Sequence, residues 1–324
     1  MEQYKRSMKR QFPWEERLLS DKKVIGFIGA GVMGEPMILR LLREGYEVVV
    51  HDQAVTALVA LEGHGACIVE SPKHVADWAP IVFTSLPNAE ALNKVVLGIN
   101  GLFHGEAAKV IVDLSTVGSQ AHKEISQVLS ERAIEMVDAP VSGGAEGARA
   151  GTLAIMAAGS PSALSLVRAV LSVLGNVFIV GDTPGQAQLL KLLNNMLSST
   201  AVAITSEAIV AGLRAGLDSR VMLNVFNAGT GSNTATRDKF PAHVLTGTFD
   251  YGFSLGGVCK DIDLAMDACK ELGVAAHVGS AVCELWHLAA RENGPARDMT
   301  TLIQYIDKDH AVPDMNGMPH RAQI

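Results

Sequence analysis

The chain has 324 residues, 48% hydrophobic and 19% charged, with a formal net charge of -7 when the histidines are neutral. That length exceeds the ~250 to 300 residues at which single cores stop growing, so two domains are expected, and the apolar content excludes disorder for the bulk of the chain. An acidic balance without a Lys/Arg block excludes the electrostatic footprint of a nucleic-acid binder.

Residues 1–20 mix Lys5, Arg6, Lys9 and Arg10 with Glu2, Glu15 and Glu16 and lack the apolar core of a signal peptide, so they read as an N-terminal extension. Over residues 21–182 the runs VIGFIG, EVVVHD, IVFTSLP, KVIVDLS and IEMVDAP alternate with helical patterns. Such alternation predicts a parallel sheet with helices on both faces, a doubly wound Rossmann-type domain. TLAIMAAG and NVFIVG flank a helical segment around Leu164 to Leu174 and are expected to extend the same sheet to about Gly181.

Thr183-Pro184 then offers an N-cap with proline at the first helical position. Leu189, Leu193, Met196 and Leu197 follow at helical spacing. One long interdomain helix is expected over about 184–215, roughly 45 Å at 1.5 Å per residue. Glu207 interrupts its apolar run, which argues against a membrane span. The remainder to residue 310 carries capped helical patterns at Asp218 to Phe226, Asp261 to Leu272, Ser280 to Glu292 and Asp298 to Ile306, so the second domain reads as all-α. Residues 311–324, with Pro313, Gly317 and Pro319, read as a loose tail.

Cys67, Cys259, Cys269 and Cys283 show no CxxC spacing, and His243 and His277 fit no ligand pattern. No metal is expected, and a reducing, cytoplasmic location follows from this cysteine usage.

Val24 to Gly34 reads as a strand running into GxGxxG and a helix. Gly29 permits the tight turn, Gly31 lets a pyrophosphate approach the backbone, and Gly34 allows helix and strand to pack closely. Gly31, Val32 and Met33 would present N–H groups of the helix start to that anion. Asp52, 23 residues after Gly29, closes the second strand and is suited to accept hydrogen bonds from an adenosine ribose. A carboxylate there repels a 2′-phosphate, and the next residue is the uncharged Gln53, so NAD is favoured over NADP. Asp52 could instead cap the helix at Val55, and S-adenosylmethionine enzymes also use a glycine loop with an acidic strand end.

Lys191 and Asn195 lie at i and i+4 of the long helix and share one face. Spacing alone would make Lys191 a solvated charge. The loops Ser85 to Asn88, Asp113 to Thr116 and Asp138 to Gly144 each follow a strand, which puts them at the carboxyl edge where doubly wound sheets bind ligands. Ser142-Gly143-Gly144 exposes successive N–H groups suited to a carboxylate.

Taken in order, GFIGAGVMGEPM, TSLPN, DLSTV, DAPVSGGAEGARAGTL, GQAQLLKLLNN and FSLGGVCKDIDLA resemble the β-hydroxyacid dehydrogenase family, which includes 3-hydroxyisobutyrate dehydrogenases and tartronate semialdehyde reductases. The resemblance runs from Val24 to about Ile306. It implies NAD-dependent hydride transfer between a small β-hydroxy acid and its semialdehyde or keto form, with Lys191 as the general acid/base. It places substrate contacts at Ser142, Gly143, Gly144, Asn195 and Ser115, and cofactor contacts at Leu86, Pro87, Thr116 and Lys260. It also implies a homodimer or homotetramer. Burial should lower the pKa of Lys191, and Lys260 would add like-charge repulsion if close. The chain departs from the pattern at Asn233, where many relatives have Arg, and at Gly185-Gln186-Ala187, where a second glycine is common. The alternatives are an imine reductase, whose relatives usually replace the lysine, and a catalytically silent dinucleotide-binding protein. Which acid is used stays open.

Overall fold

The structure, a computed structural model, describes residues 24–307; the extension over 1–20 and the tail over 311–324 lie outside the described residues. The chain divides into two compact units after Gln188, where the sequence reading drew the border after residue 182.

In the first unit strands and helices alternate: β1 Val24–Ile28, α1 Gly34–Arg43, β2 Glu47–His51, α2 Val55–Gly63, β3 Cys67–Ile68, α3 Pro72–Trp78, β4 Ile81–Thr84, α4 Ala89–Leu97, β5 Val110–Asp113, α5 Ser119–Ser130 and β6 Glu135–Asp138. After these come β7 Val141–Ser142, α6 Gly144–Ala150, β8 Leu153–Ala158, α7 Pro161–Leu174 and β9 Gly175–Gly181. The sheet order is β3-β2-β1-β4-β5-β6-β8-β7, with β9 on β8. Strands β1 to β6 pair in parallel, and the order reverses between β1 and β4. Their ladders alternate side chains between two cores. Phe27, Phe83, Val112 and Val137 enter one, and Ile28, Val82, Ile111 and Met136 the other. Each fully buried side chain of this kind contributes about 1.5 to 3 kcal/mol, and this two-sided burial is why the runs are continuously apolar.

The expected extension of the sheet is present, with one difference: β8 runs antiparallel to β6. The segment after β6 itself forms β7, which pairs antiparallel with β8, Val141 opposite Ile155, and so turns the chain back.

The helix α8, Gln186–Arg214, has 29 residues. It begins two residues later than Thr183-Pro184 suggests, because Gly185 takes φ +93°, outside helical space. By length and hydropathy α8 could cross a membrane, with a mean hydropathy of 1.5 over its most apolar window, so Glu207 does not remove that possibility as the sequence reading held. Its Val202, Ile209 and Val210 enter the core of the second unit, as in a core helix. That unit continues with α9 Ser219–Ala228, a π-helical segment Ala235–Val244, α10 Leu255–Glu271, α11 His277–Asn293 and α12 Leu302–Ile306. Phe240, Val258, Trp286 and Leu302 complete the core. Among the described residues the unit contains no strand.

Two elements depart from the sequence reading. Helix α10 starts six residues before Asp261, capped by the Ser254 hydroxyl, which accepts from the Gly257 N–H at 3.1 Å. Gly256 and Gly257 disguise this turn, yet a Cβ on Gly257 would lie 2.8 Å from the Phe253 ring. The π-helical segment carries Pro241 and bonds i to i+5, as in Leu245 N–H to Phe240 C=O at 2.8 Å, so it shows no 3.6-residue period.

Candidate active site

The turn after β1 is built around glycine. Gly29 takes φ +97°, and a Cβ there would meet the Ser85 carbonyl oxygen at 2.2 Å. A Cβ on Gly34 would sit 1.8 Å from the Gly29 oxygen, so helix and strand touch through backbone. Gly31 differs, since its Cβ would face open space with nothing within 4 Å. Gly31 and Val32 are exposed and Met33 half-buried at the start of α1, where the Gly31 carbonyl accepts the Glu35 N–H at 2.9 Å. Asp52 Oδ2 accepts the Ala30 N–H at 2.6 Å and Oδ1 the Ala54 N–H at 2.7 Å. The N-cap of α2 is Ala54, without a side-chain cap, so Asp52 ties the glycine loop to β2 rather than capping the helix at Val55. Each carboxylate oxygen keeps a further lone pair for ribose hydroxyls. An open cradle over Gly31 at a helix N-terminus and a ready acceptor in Asp52 fit a dinucleotide.

The loops after β4 and β5 are locked by a buried carboxylate. Asp113 Oδ1 accepts from Thr84 Oγ1 at 2.7 Å and Ser115 Oγ at 2.5 Å, while Oδ2 contacts His122 Nε2 at 2.8 Å. The Leu86 N–H donates to Ser115 Oγ at 2.8 Å. Ser115, expected to touch substrate, is 5% exposed with its hydroxyl engaged on both sides, so it joins two loops instead. Pro87 is exposed, and Leu86 and Thr116 are half-buried on the same loops.

A second buried carboxylate holds the start of α8. Asp138 Oδ2 accepts the N–H groups of Ala187 and Gln188 at 2.9 and 3.0 Å, an anion at a helix N-terminus. Burial pushes its pKa up, opposed by His122 and by backbone hydrogen bonds that include the Gln188 N–H. The Gln188 side chain accepts from Val117 and Gly118 N–H and donates to the Ser115 carbonyl at 2.9 Å. Neither Asp138 nor Gln188 stood out in the sequence, though both lie in its motifs.

One turn along α8, Lys191 is 7% exposed. Burial lowers its pKa to about 8, against the raising influence of Asp261 and with a smaller lowering from Lys260. Asn195 Nδ2 donates to Asp261 Oδ2 at 2.6 Å, and Lys260 Nζ pairs with Asp261 Oδ1 at 2.8 Å. A carboxylate only accepts, so Asp261 fixes which way the Asn195 amide points. Asp261 thus bonds Asn195, pairs with Lys260 and acts on Lys191 through its charge, though in the sequence it shows only as the start of a helical pattern.

Gly143 and Gly144, with φ +131° and +63°, are exposed after Ser142, in backbone that favours glycine. Asn233 caps the π-helical segment, accepting from the N–H groups of Ala235 and Thr236 at 2.8 and 3.1 Å. Elsewhere in the second unit Asp263, Cys283 and His287 bring ligand atoms within 4.8 Å of one another, a grouping the cysteine spacing did not reveal. Burial and Asp263 push the Cys283 thiol up to about 11, so it stays protonated at neutral pH and donates to Asp263.

The NAD binding domain of 6-phosphogluconate dehydrogenase matches residues 24–181, and the NAD-binding domain of NADP-dependent 3-hydroxyisobutyrate dehydrogenase matches residues 185–306. Together with the glycine cradle and Asp52, these matches define an NAD-dependent oxidoreductase. The chain is 36% identical to 2-(hydroxymethyl)glutarate dehydrogenase of Eubacterium barkeri, over 90% of this chain and 98% of that one. It is 31% identical to the NAD-dependent L-serine dehydrogenase of Pseudomonas aeruginosa, over 88% and 98%. The 3-hydroxyisobutyrate dehydrogenase of Mycobacterium tuberculosis, solved with L-serine, superposes with a TM-score of 0.80 at 29% identity, covering 88% of this chain and 99% of that one. The chain belongs to the β-hydroxyacid dehydrogenase family, whose members oxidise the CH–OH group of hydroxy acids.

Proposed function

We propose that this protein interconverts a small β-hydroxy acid and its semialdehyde or keto form, with Lys191 as general acid/base. The observation that carries this is Lys191 itself, buried, lowered to about 8 and one turn from an amide held by Asp261. NAD, when bound, supplies the hydride acceptor. In oxidation the neutral Lys191 amine takes the hydroxyl proton, and in reduction the ammonium returns it. A pKa of about 8 leaves roughly a tenth of the side chain neutral at pH 7, a few hundred times more than an unperturbed lysine. Asn195 has a second N–H on Nδ2 for the reacting oxygen. Ser142 and the N–H groups of Gly143 and Gly144 are assigned to the carboxylate.

The names of the relatives support the substrate class: 2-(hydroxymethyl)glutarate, 3-hydroxyisobutyrate and L-serine each carry a hydroxyl on the carbon next to the α-carbon of an acid. Imine reductases share the fold at 16% and 21% identity, which supports nothing beyond architecture, and the retained Lys191 counts against that activity. The test follows absorbance at 340 nm with NAD and a panel of 3-hydroxy acids, then with NADH and cyclic imines. Turnover of a hydroxy acid supports the reading; turnover of imines alone contradicts it.

A further inference from the structure

Lys239 is a charge that the chemistry above leaves unused. It lies in the π-helical segment and is 4% exposed. Its Nζ donates to Ser198 Oγ at 3.2 Å and Thr234 Oγ1 at 3.3 Å, and sits 5.1 Å from the centre of the Tyr251 ring. No carboxylate among the described residues forms an ion pair with it. Burial lowers its pKa, and Asp238 opposes that from a distance. An ammonium kept out of water without a carboxylate partner is costly. Two of its three N–H groups reach neutral hydroxyls, and the third has no acceptor among the described residues.

The position of Ser198 gives this charge a direction. Lys191, Asn195 and Ser198 fall at i, i+4 and i+7 of α8, one stripe of a single helix. The ammonium of Lys239 therefore bonds to the next position after Asn195 along the stripe that carries Lys191. Asn195 and Ser198 are about 4.5 Å apart along the axis, the reach of a two- or three-carbon spacer. Asn233 could have supplied a polar group at this end, but it is turned into the cap of the π-helical segment. The π-helical turn, a device common at functional sites, carries Lys239 inward in its place.

We propose that Lys239, with the hydroxyls of Ser198 and Thr234, binds a second carboxylate of the substrate, so that the preferred substrate is a dicarboxylic β-hydroxy acid. This rests on the hydroxy-acid reading above and narrows it. The carbinol stays at Lys191 and Asn195 on the same helix, and the distal carboxylate neutralises the buried ammonium.

The test compares 2-(hydroxymethyl)glutarate with 3-hydroxyisobutyrate, each with NAD, for the unmodified protein, Lys239→Met and Lys239→Arg. The unmodified protein should favour the dicarboxylate. Lys239→Met should lower kcat/KM for it roughly 100-fold, mainly through KM, with a loss at least about ten times smaller on the monocarboxylate, while Lys239→Arg recovers most of the difference. Equal losses on the two acids, or a preference of the unmodified protein for the monocarboxylate, would overturn the proposal and leave the hydroxy-acid reading standing. Failure to turn over any hydroxy acid would overturn both. Should Lys239→Met not fold, the unmodified protein still decides. Glutarate should inhibit 3-hydroxyisobutyrate oxidation competitively and at least about ten times more strongly than butyrate; equal inhibition contradicts the subsite.

Discussion

Asn195 and Asp261 are joined by a 2.6 Å hydrogen bond, and the other Asp261 oxygen holds Lys260 at 2.8 Å. One buried carboxylate thereby orients the amide, pairs with a neighbouring ammonium and acts electrostatically on Lys191. Its charge has a sign that can be measured. Oxidation needs neutral Lys191, so kcat/KM should rise with pH along a limb near 8. Asp261 raises the Lys191 pKa, so Asp261→Asn should move the limb to lower pH. Lys260 lowers it, so Lys260→Met should move the limb upward. A pH-rate profile that stays in place for both variants would separate Lys191 from the titrating group.

Burial of Lys191 also costs stability. Its pKa in the folded protein, about 8, lies below the ordinary value of 10.5. The folded state therefore disfavours the ammonium, and stability present above the unfolded pKa is lost as pH falls through 8. At pH 7 the loss is about 3 kcal/mol. Lys191→Met should thus be more stable than the unmodified protein at pH 7, by about 1 to 3 kcal/mol, and lose that advantage near pH 10. Urea denaturation at the two pH values measures this; an advantage independent of pH would exclude the charge as its cause.

The glycines of the first turn divide by function. Gly34→Ala drives a methyl to within 1.8 Å of the Gly29 oxygen, so it should lower Tm substantially. Gly31→Ala meets nothing within 4 Å, so it should leave Tm near its starting value while weakening NAD binding at least about ten-fold. Calorimetric titration with NAD and a melting curve on both variants separate the two roles. Equal behaviour of the pair would show that Gly31 does not face the cofactor.

Asp52→Ala should weaken NAD binding and narrow the preference over NADP, because the carboxylate that repels a 2′-phosphate is gone. The Ala30 and Ala54 N–H groups lose their acceptor as well, at about 1 to 2 kcal/mol in stability. Unaltered cofactor preference, measured as the ratio of kcat/KM for NAD and NADP, would assign Asp52 to the loop alone.

What could be read from the chain was local. Gly29, Gly31 and Gly34 carry their geometry in their spacing, and Lys191 and Asn195 share a face by helical period alone. The alternating apolar runs expose β1, β2, β4, β5 and β6 because each is buried on both sides, whereas β3, two half-buried residues, is too short to show a run. What stayed hidden depends on partners distant in sequence. Asp138 meets Ala187 and Gln188 across about 50 positions, and Asn195 meets Asp261 across 66. Lys239 carries no periodic signal in the sequence, because π-helical bonding breaks the 3.6-residue pattern that would place it toward Ser198. The Ser115 hydroxyl also meets a partner distant in sequence, accepting the Leu86 N–H across 29 positions while donating to Asp113.

The proposed role of Lys191 as the proton-transfer group is tested most directly by Lys191→Ala. Single-turnover oxidation of a 3-hydroxy acid, followed at 340 nm with NAD saturating, should slow by a factor on the order of 100 to 10,000, while the Kd for NAD stays within about three-fold. Turnover at the unmodified rate, with NAD still bound, would contradict it.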